Sequence, residues 1–395
     1  MWLLGDSGTA TEVGRDGKPS HPGEAEAVKQ GFLKYVQMEG KNEAADLLLL
    51  LGDNAYPAGT DNEWQGAYFD IYPALIKTTP TVPTIGNHEM GVAPLNICIF
   101  VKAPGCDKGP VMYPLGGVSD SSDPMSYDGN GDGPDPSGMP YLQIFTLPAK
   151  AEQGGVPSGT EQYYSMDYGT VHIVSLDSQL SSRDPQQLQT MRDWLVDDLS
   201  ANKLDWTVVI FHHPPYSKGK NHDSDLEQRE IDMRQAFAPV FEKYGVDVIY
   251  SGHAHSYERS WYLGGHYGFS NTFDPKQHTE TDNEGNPTLG QEKDPYPQIS
   301  AKSGQDDKAV YTVAGSSGKI GGKEPPCEGG NHMGCTMPDW LEHPAHRTFE
   351  KLADDYQKHG IERLGSVVLD AGADQLISRF IDDKGNVLDY FIIKR

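Results

Sequence analysis

The chain has 395 residues and a formal charge of −25. It carries no clustered run of Lys and Arg, which argues against a nucleic-acid face, and its charge would be repelled by an acidic membrane surface. No run of about 18 apolar residues is present to cross a bilayer as a helix, so the expectation is a soluble protein whose turns and long loops draw on 44 glycines and 28 prolines.

The first apolar run, Trp2–Leu4, reads as a buried strand. Val28, Phe32 and Val36 then share one helical face before a second run, Leu47–Leu51, and a third, Val82–Ile85. From about Gly91 to Gly159 the chain is rich in Gly, Pro and Asp with weak periodicity, and reads as a loop insertion. Val171–Leu176 is the next strand. Leu188, Met191, Leu195 and Leu199 line a helix, and Thr207–Phe211 follows as a strand. Phe237, Val240, Phe241 and Tyr244 mark a helix before the Val246–Tyr250 strand. A second insertion, about Gly264 to Asp307, precedes Val310–Ala314. Strands alternating with helices predict an α/β core. Ser366–Asp370, Leu376–Ile381 and Val387–Ile393 read as successive strands, with Asp383-Lys384-Gly385-Asn386 as a hairpin loop, so the sheet is expected to become mixed at its edge. Residues 1–395 read as one domain with loop insertions at about 91–159 and 264–307.

The strands end in polar residues able to bind metal. Trp2–Leu4 runs into Gly5-Asp6-Ser7-Gly8, Leu47–Leu51 into Gly52-Asp53-Asn54-Ala55-Tyr56, and Val82–Ile85 into Gly86-Asn87-His88-Glu89. Thr207–Phe211 runs into His212-His213-Pro214-Pro215, and Val246–Tyr250 into Ser251-Gly252-His253-Ala254-His255. In α/β sheets, sites form beyond the carboxyl ends of strands. Burying so many ionisable groups together is costly unless cations compensate them. Oxygen and imidazole donors without thiolate suit Fe, Mn or Zn. Asp53 is placed to bridge two cations. Tyr56 is a poor ligand unless deprotonated, which favours a hard trivalent ion such as Fe³⁺.

The order GDSG, GDNAY, GNHE, a histidine after Val-Ile-Phe, and GHAHSYER resembles the purple acid phosphatases within the calcineurin-like metallophosphoesterases. Tyr163-Tyr164-Ser165-Met166-Asp167-Tyr168-Gly169 and Trp194-Leu195 are similar to the same family. The resemblance implies a sandwich of two mixed sheets flanked by helices, here a catalytic domain without the N-terminal domain of plant-type members. It implies Fe³⁺ held by Asp6, Asp53, Tyr56 and His255. A divalent ion, Zn²⁺, Mn²⁺ or Fe²⁺, would sit on Asp53, Asn87, His212 and His253. His212 rather than His213 matches the family's spacing. His88 and His222 match its substrate-side histidines, His222 only by its distance from His212. The implied reaction is hydrolysis of a small phosphate monoester, a metal-bound hydroxide attacking phosphorus with histidine help to the leaving group. A phosphodiesterase or nucleotidase on the same scaffold is the competing enzyme reading, and a metal-binding protein without activity the non-enzymatic one.

Cys98 and Cys106 are spaced like Cys327 and Cys335, each pair in a Gly/Pro-rich loop, and read as two local disulfides. Disulfides imply a secreted or periplasmic protein whose export segment does not stand at Met1. Asp128–Gly133 resembles the start of a calcium loop but has Met139 at the twelfth position, and reads as a solvated turn. Gly315-Ser316-Ser317-Gly318-Lys319 has the wrong glycine spacing for a phosphate loop and reads as a turn at the site rim.

Overall fold

The computed structural model describes residues 1–14, 17–40, 45–90, 139–182, 184–220, 222–298, 308–321, 340–349 and 359–395, with the strand backbone of 94–96, 112–114 and 356–357. The cysteines and the segment 128–133 lie outside the described residues. Among the described residues no helix is long and apolar enough to cross a membrane.

The short apolar runs pair into a seven-stranded and an eight-stranded sheet. In the first, Trp2–Leu4 lies parallel to Leu48–Leu50, itself parallel to Thr81–Pro83. On its other side Trp2–Leu4 runs antiparallel to Gly365–Ala371, followed by Gln375–Asp382 and Val387–Lys394. The C-terminal strands therefore form the antiparallel side of this sheet, which is mixed there as the hairpin pattern predicts. They supply the second hydrogen-bonding neighbour that the buried Trp2–Leu4 backbone requires. Beyond them Tyr296–Pro297, from the second expected insertion, pairs with Val387–Lys394.

The second sheet has four consecutive parallel strands: Val171–Ser175, Trp206–Ile210, Val248–Ser251 and Val310–Ala314. Tyr164–Tyr168 and Tyr257–Arg259 flank them antiparallel. Alternate residues face opposite sides, as the strand period requires. Ile173, Val208, Ile210, Val248 and Tyr250 join the core shared with the first sheet. Val174, Val209, Phe211 and Ile249 pack on helices instead. The apolar runs lack polar alternation because both faces are covered.

The helices fall where the apolar spacing places them. Glu24–Met38 lays Phe32 flat on Trp2, ring centroids 4.1 Å apart. Pro185–Ala201 starts on Asp184, whose carboxylate accepts from the N–H groups of Gln186 and Gln187, with proline at the position where no N–H is needed. Gln228–Asp232 continues through a π turn, Met233–Phe237, into Ala238–Lys243. Pro239 has no N–H to return to the preceding turn, and the helix widens there. Within the first expected insertion, Pro140–Ile144 is helical and buries Tyr141.

The Tyr257–Arg259 strand, which follows His255, is pinned from the opposite sheet. Asp389 accepts from Arg259 Nε at 2.6 Å and Nη2 at 3.1 Å, from Tyr257 Oη at 2.9 Å and from Arg347 Nη1 at 2.7 Å. Burial opposes the Asp389 charge, but Arg259 and Arg347 outweigh it and hold the carboxyl below its ordinary range. Its stabilisation is therefore present above the ordinary carboxylate pKa and lost as pH falls through the depressed folded value. Asp389→Ala leaves Arg259 buried and unpaired and is expected to cost about 3–5 kcal/mol, read from the urea midpoint at neutral pH. A change under about 1 kcal/mol would contradict the pinning.

Candidate metal centre

Asp6, Asp53 and His253 have positive φ angles of 56°, 54° and 69°. L-residues adopt this region at a cost, and it clusters at functional sites. Each lies in the turn just after a parallel strand, and the left-handed step folds its side chain back over the strand ends. Glycine makes room: a Cβ at Gly86 would stand 2.3 Å from Asp53 Oδ1, and one at Gly252 would stand 2.5 Å from Asp6 Oδ2. Neither could be any other residue without moving a carboxylate.

The strand ends of both sheets meet here. One donor group surrounds Tyr56 Oη, which lies 3.0 Å from Asp6 Oδ1, 3.1 Å from Asp53 Oδ2 and 3.4 Å from His255 Nε2. His255 Nε2 is 3.5 Å from Asp6 Oδ1. A second group surrounds His212 Nε2, which lies 3.2 Å from Asp53 Oδ2, 3.0 Å from Asn87 Oδ1 and 3.2 Å from His253 Nδ1. Donors spaced in this way fit around a cation about 2.0–2.2 Å from each. Asp53 Oδ2 belongs to both groups. All the residues predicted as ligands are thus brought together, including Asp6 and His253, whose N–H donates to Asp6 Oδ2 at 2.8 Å.

Backbone partners fix which ring atoms face inward. His212 Nδ1 donates to the Leu51 carbonyl at 2.8 Å, so Nε2 is the atom that turns a lone pair inward once the ring is neutral. His253 Nε2 donates to Glu227 Oε2 at 3.1 Å, leaving Nδ1 as the acceptor. Asn87 contributes an oxygen. The second group is therefore four acceptor atoms turned on one point, which suits a cation. His213 is turned to other partners: its Nδ1 lies 2.9 Å from Ser178 Oγ, and its Nε2 accepts from Arg229 at 3.0 Å.

Protons stand in for cations in the protein alone. Burial disfavours charge on His212, yet Asp53 and Asp6 outweigh it and push the ring up to about 9. Burial and the neighbouring His222 push His253 down to about 3. Burial, then the charges of Asp53 and Asp6, hold Tyr56 protonated well above its ordinary value.

His88 and His222, expected on the substrate side, both lie against these donor groups. His88 Nδ1 donates to the Pro57 carbonyl at 2.7 Å, and its Nε2 lies 3.8 Å from Asp53 Oδ2. The His222 ring packs at a tilt against that of His253, centroids 3.7 Å apart, and donates from Nδ1 to Glu227 Oε1 at 2.7 Å. Three residues were not assigned from sequence. Glu89, inside the GNHE segment, accepts from the N–H groups of Gly86, Asp53 and Asn54 at 2.7, 2.8 and 2.7 Å. Glu227 joins His222 to His253. Lys319 Nζ sits 3.6 Å over the Tyr56 ring and 3.2 Å from Glu12. Glu89 had a signal, a carboxylate two residues beyond a predicted ligand. Glu227 had none, because His253 lies far along the chain.

Comparison with known proteins gives the family. The family model described as calcineurin-like phosphoesterase matches residues 2–257. Purple acid phosphatase 23 of Arabidopsis thaliana is 35% identical over 124 residues, 30% of this chain and 24% of that protein. Purple acid phosphatase 1 of Ipomoea batatas is 25% identical over 235 residues, 57% of this chain and 38% of that protein. The chain thus spans well under half the length of these curated relatives. A purple acid phosphatase from yellow lupin (Lupinus luteus) seeds superposes with a TM-score of 0.56 at 19% identity, covering 100% of this chain and 53% of that one, which shows a shared fold.

Proposed function

This chain belongs to the calcineurin-like phosphoesterase family, and on that premise we propose that it hydrolyses small phosphate monoesters at a centre built for two cations. The observation that carries the reading is Asp53 Oδ2, which faces both donor groups at 3.1 and 3.2 Å. Asp6, Asp53, Tyr56 and His255 hold the ferric ion in this reading. Asp53, Asn87, His212 and His253 hold Zn²⁺, Mn²⁺ or Fe²⁺. The buried, protonated Tyr56 supports the trivalent choice, because a cation that displaces its proton needs high charge. Bound there, the pair would supply an acidified water and charge to neutralise phosphoryl oxygens.

The chain's own residues do the rest. Tautomer-fixed His212 and His253 present lone pairs, and Asp53 holds the two donor groups in register. His88, with Nδ1–H engaged by Pro57, leaves Nε2 free, and the imidazolium form carries there the second proton that stabilises or reaches the leaving oxygen. His222 presents Nε2 in the same way. His88→Ala is expected to lower turnover of p-nitrophenyl phosphate about 100-fold with metal content unchanged. Loss of metal from that variant would instead make His88 a ligand.

The iron site has its own readout. Iron-loaded protein is expected to absorb in the visible through phenolate-to-Fe³⁺ charge transfer, and Tyr56→Phe to lose that band. A colourless iron-loaded wild type would contradict the assignment. Faster hydrolysis of bis(p-nitrophenyl) phosphate than of the monoester would move the reading to a phosphodiesterase.

A further inference from the structure

We propose that Glu227 is a positioning residue whose single carboxylate fixes both His253, on the divalent side, and His222, on the leaving-group side, and so couples metal holding to proton delivery. The inference deepens the functional reading above and rests on it.

The two oxygens of Glu227 are divided between the two rings, Oε1 2.7 Å from His222 Nδ1 and Oε2 3.1 Å from His253 Nε2. An ionised carboxylate only accepts, so each of those ring nitrogens carries a proton. The lone pair of His253 is then at Nδ1, 3.2 Å from His212 Nε2 and inside the second donor group. His222 is left with Nε2, which in the imidazolium form carries the second proton, the one delivered to the leaving oxygen. The two rings pack with centroids 3.7 Å apart, so the same carboxylate reaches both.

The carboxylate is held in place from below. Glu227 N donates to the Asp223 carbonyl at 2.9 Å, and the Glu227 carbonyl accepts from Ile231 N at 3.0 Å as the next helix begins. The loop before it is closed by the buried Arg234 guanidinium, which donates to the Pro215 carbonyl at 2.8 Å and the Ser224 carbonyl at 2.6 Å. His222, Glu227 and His253 also lie close enough to hold a cation of their own, their ligand atoms all within 4.8 Å. The hydrogen-bond lengths speak for direct carboxylate–imidazole pairing instead. With His253 Nδ1 turned to the second donor group, its Nε2 keeps the proton that Glu227 accepts.

Glu227→Gln tests this. An amide offers one acceptor and one donor, so at least one ring must reverse its tautomer. Two effects are expected together. Affinity for Zn²⁺ or Mn²⁺, by equilibrium dialysis, falls about 10- to 100-fold. The ratio of kcat for an alkyl phosphate to kcat for p-nitrophenyl phosphate falls at least about tenfold, because only the poor leaving group needs the proton. His222→Gln is expected to reproduce the second effect with divalent affinity within about twofold of wild type, and Glu227→Asp to retain part of both. Either effect without the other overturns the coupling, as does an equal loss for all esters with metal unchanged. Should Glu227→Gln not fold, an unchanged ester ratio in His222→Gln would overturn it as well. If the wild type hydrolyses no phosphate ester, the functional reading fails first, and the dialysis still decides whether Glu227 holds His253.

Discussion

Asp53→Asn is expected to give a folded protein that holds neither cation and has lost more than about 10³-fold of its turnover, the upper cost of deleting one preorganised donor in other sites. Asparagine is the substitution that isolates the chemistry. It tolerates the left-handed backbone that Asp53 adopts at φ 54°, where alanine would add strain. Its orientation is also predictable. Asp53 Oδ1 accepts from His88 N at 2.8 Å, so the amide oxygen takes that place. The NH₂ group then occupies the Oδ2 position, between Tyr56 Oη and His212 Nε2. A donor would stand where, in the proposed centre, both cations share an acceptor, and one atom exchange would spoil both groups. Elemental analysis per chain, kcat on p-nitrophenyl phosphate and the thermal unfolding midpoint read the three parts separately. Two metals retained, or more than about a tenth of the activity, would contradict the bridging role.

Glu89→Ala should act through the backbone rather than through the metals. The Glu89 carboxylate is fully buried and accepts three N–H groups, from Gly86, Asp53 and Asn54. Those donors belong to two turns that carry predicted ligands, Asp53 in one and Asn87 in the other. Removing the carboxylate leaves the N–H groups without their partner, at about 1–3 kcal/mol each when buried. A combined loss of about 3–9 kcal/mol over the three groups is a large share of the roughly 5–15 kcal/mol by which domains are typically stable. Glu89→Gln should fall between. Its oxygen can keep Asp53 and Gly86, but its NH₂ would face the Asn54 N–H. The expected order of denaturant midpoints is wild type, then Gln, then Ala, with metal content falling in the same order. An alanine variant within about 1 kcal/mol of wild type would show that the turns do not depend on this carboxylate.

The parts of the site that were legible in the sequence share one cause. Trp2–Leu4, Leu48–Leu50 and Trp206–Ile210 are covered on both faces, so their apolar runs stand out, and the polar residues that follow are displayed at the strand ends. Asp6, Asp53, Asn87, His212 and His253 are all read in this way. Choosing His212 over its neighbour came from the family resemblance, and the structure gives a physical counterpart: His213 is engaged by Ser178 and Arg229. Less visible were features that depend on distant pairing. Tyr257–Arg259 is three residues long, and its anchor, Asp389, lies 130 residues away. The C-terminal strands were read as successive strands of a sheet that turns mixed, but the hairpin pattern does not say that they join Trp2–Leu4. Glu227 was missed for the same reason, since its meaning comes from His253 and not from its own spacing.

The most direct test of the account is a crystal structure of the metal-loaded protein with anomalous difference maps collected at the iron and zinc edges. The account predicts two peaks about 3.5–4 Å apart. Asp53 Oδ2 should lie between them, with Tyr56 and His255 on the iron side and Asn87, His212 and His253 on the other. A single peak, or two peaks that do not share Asp53, would contradict it.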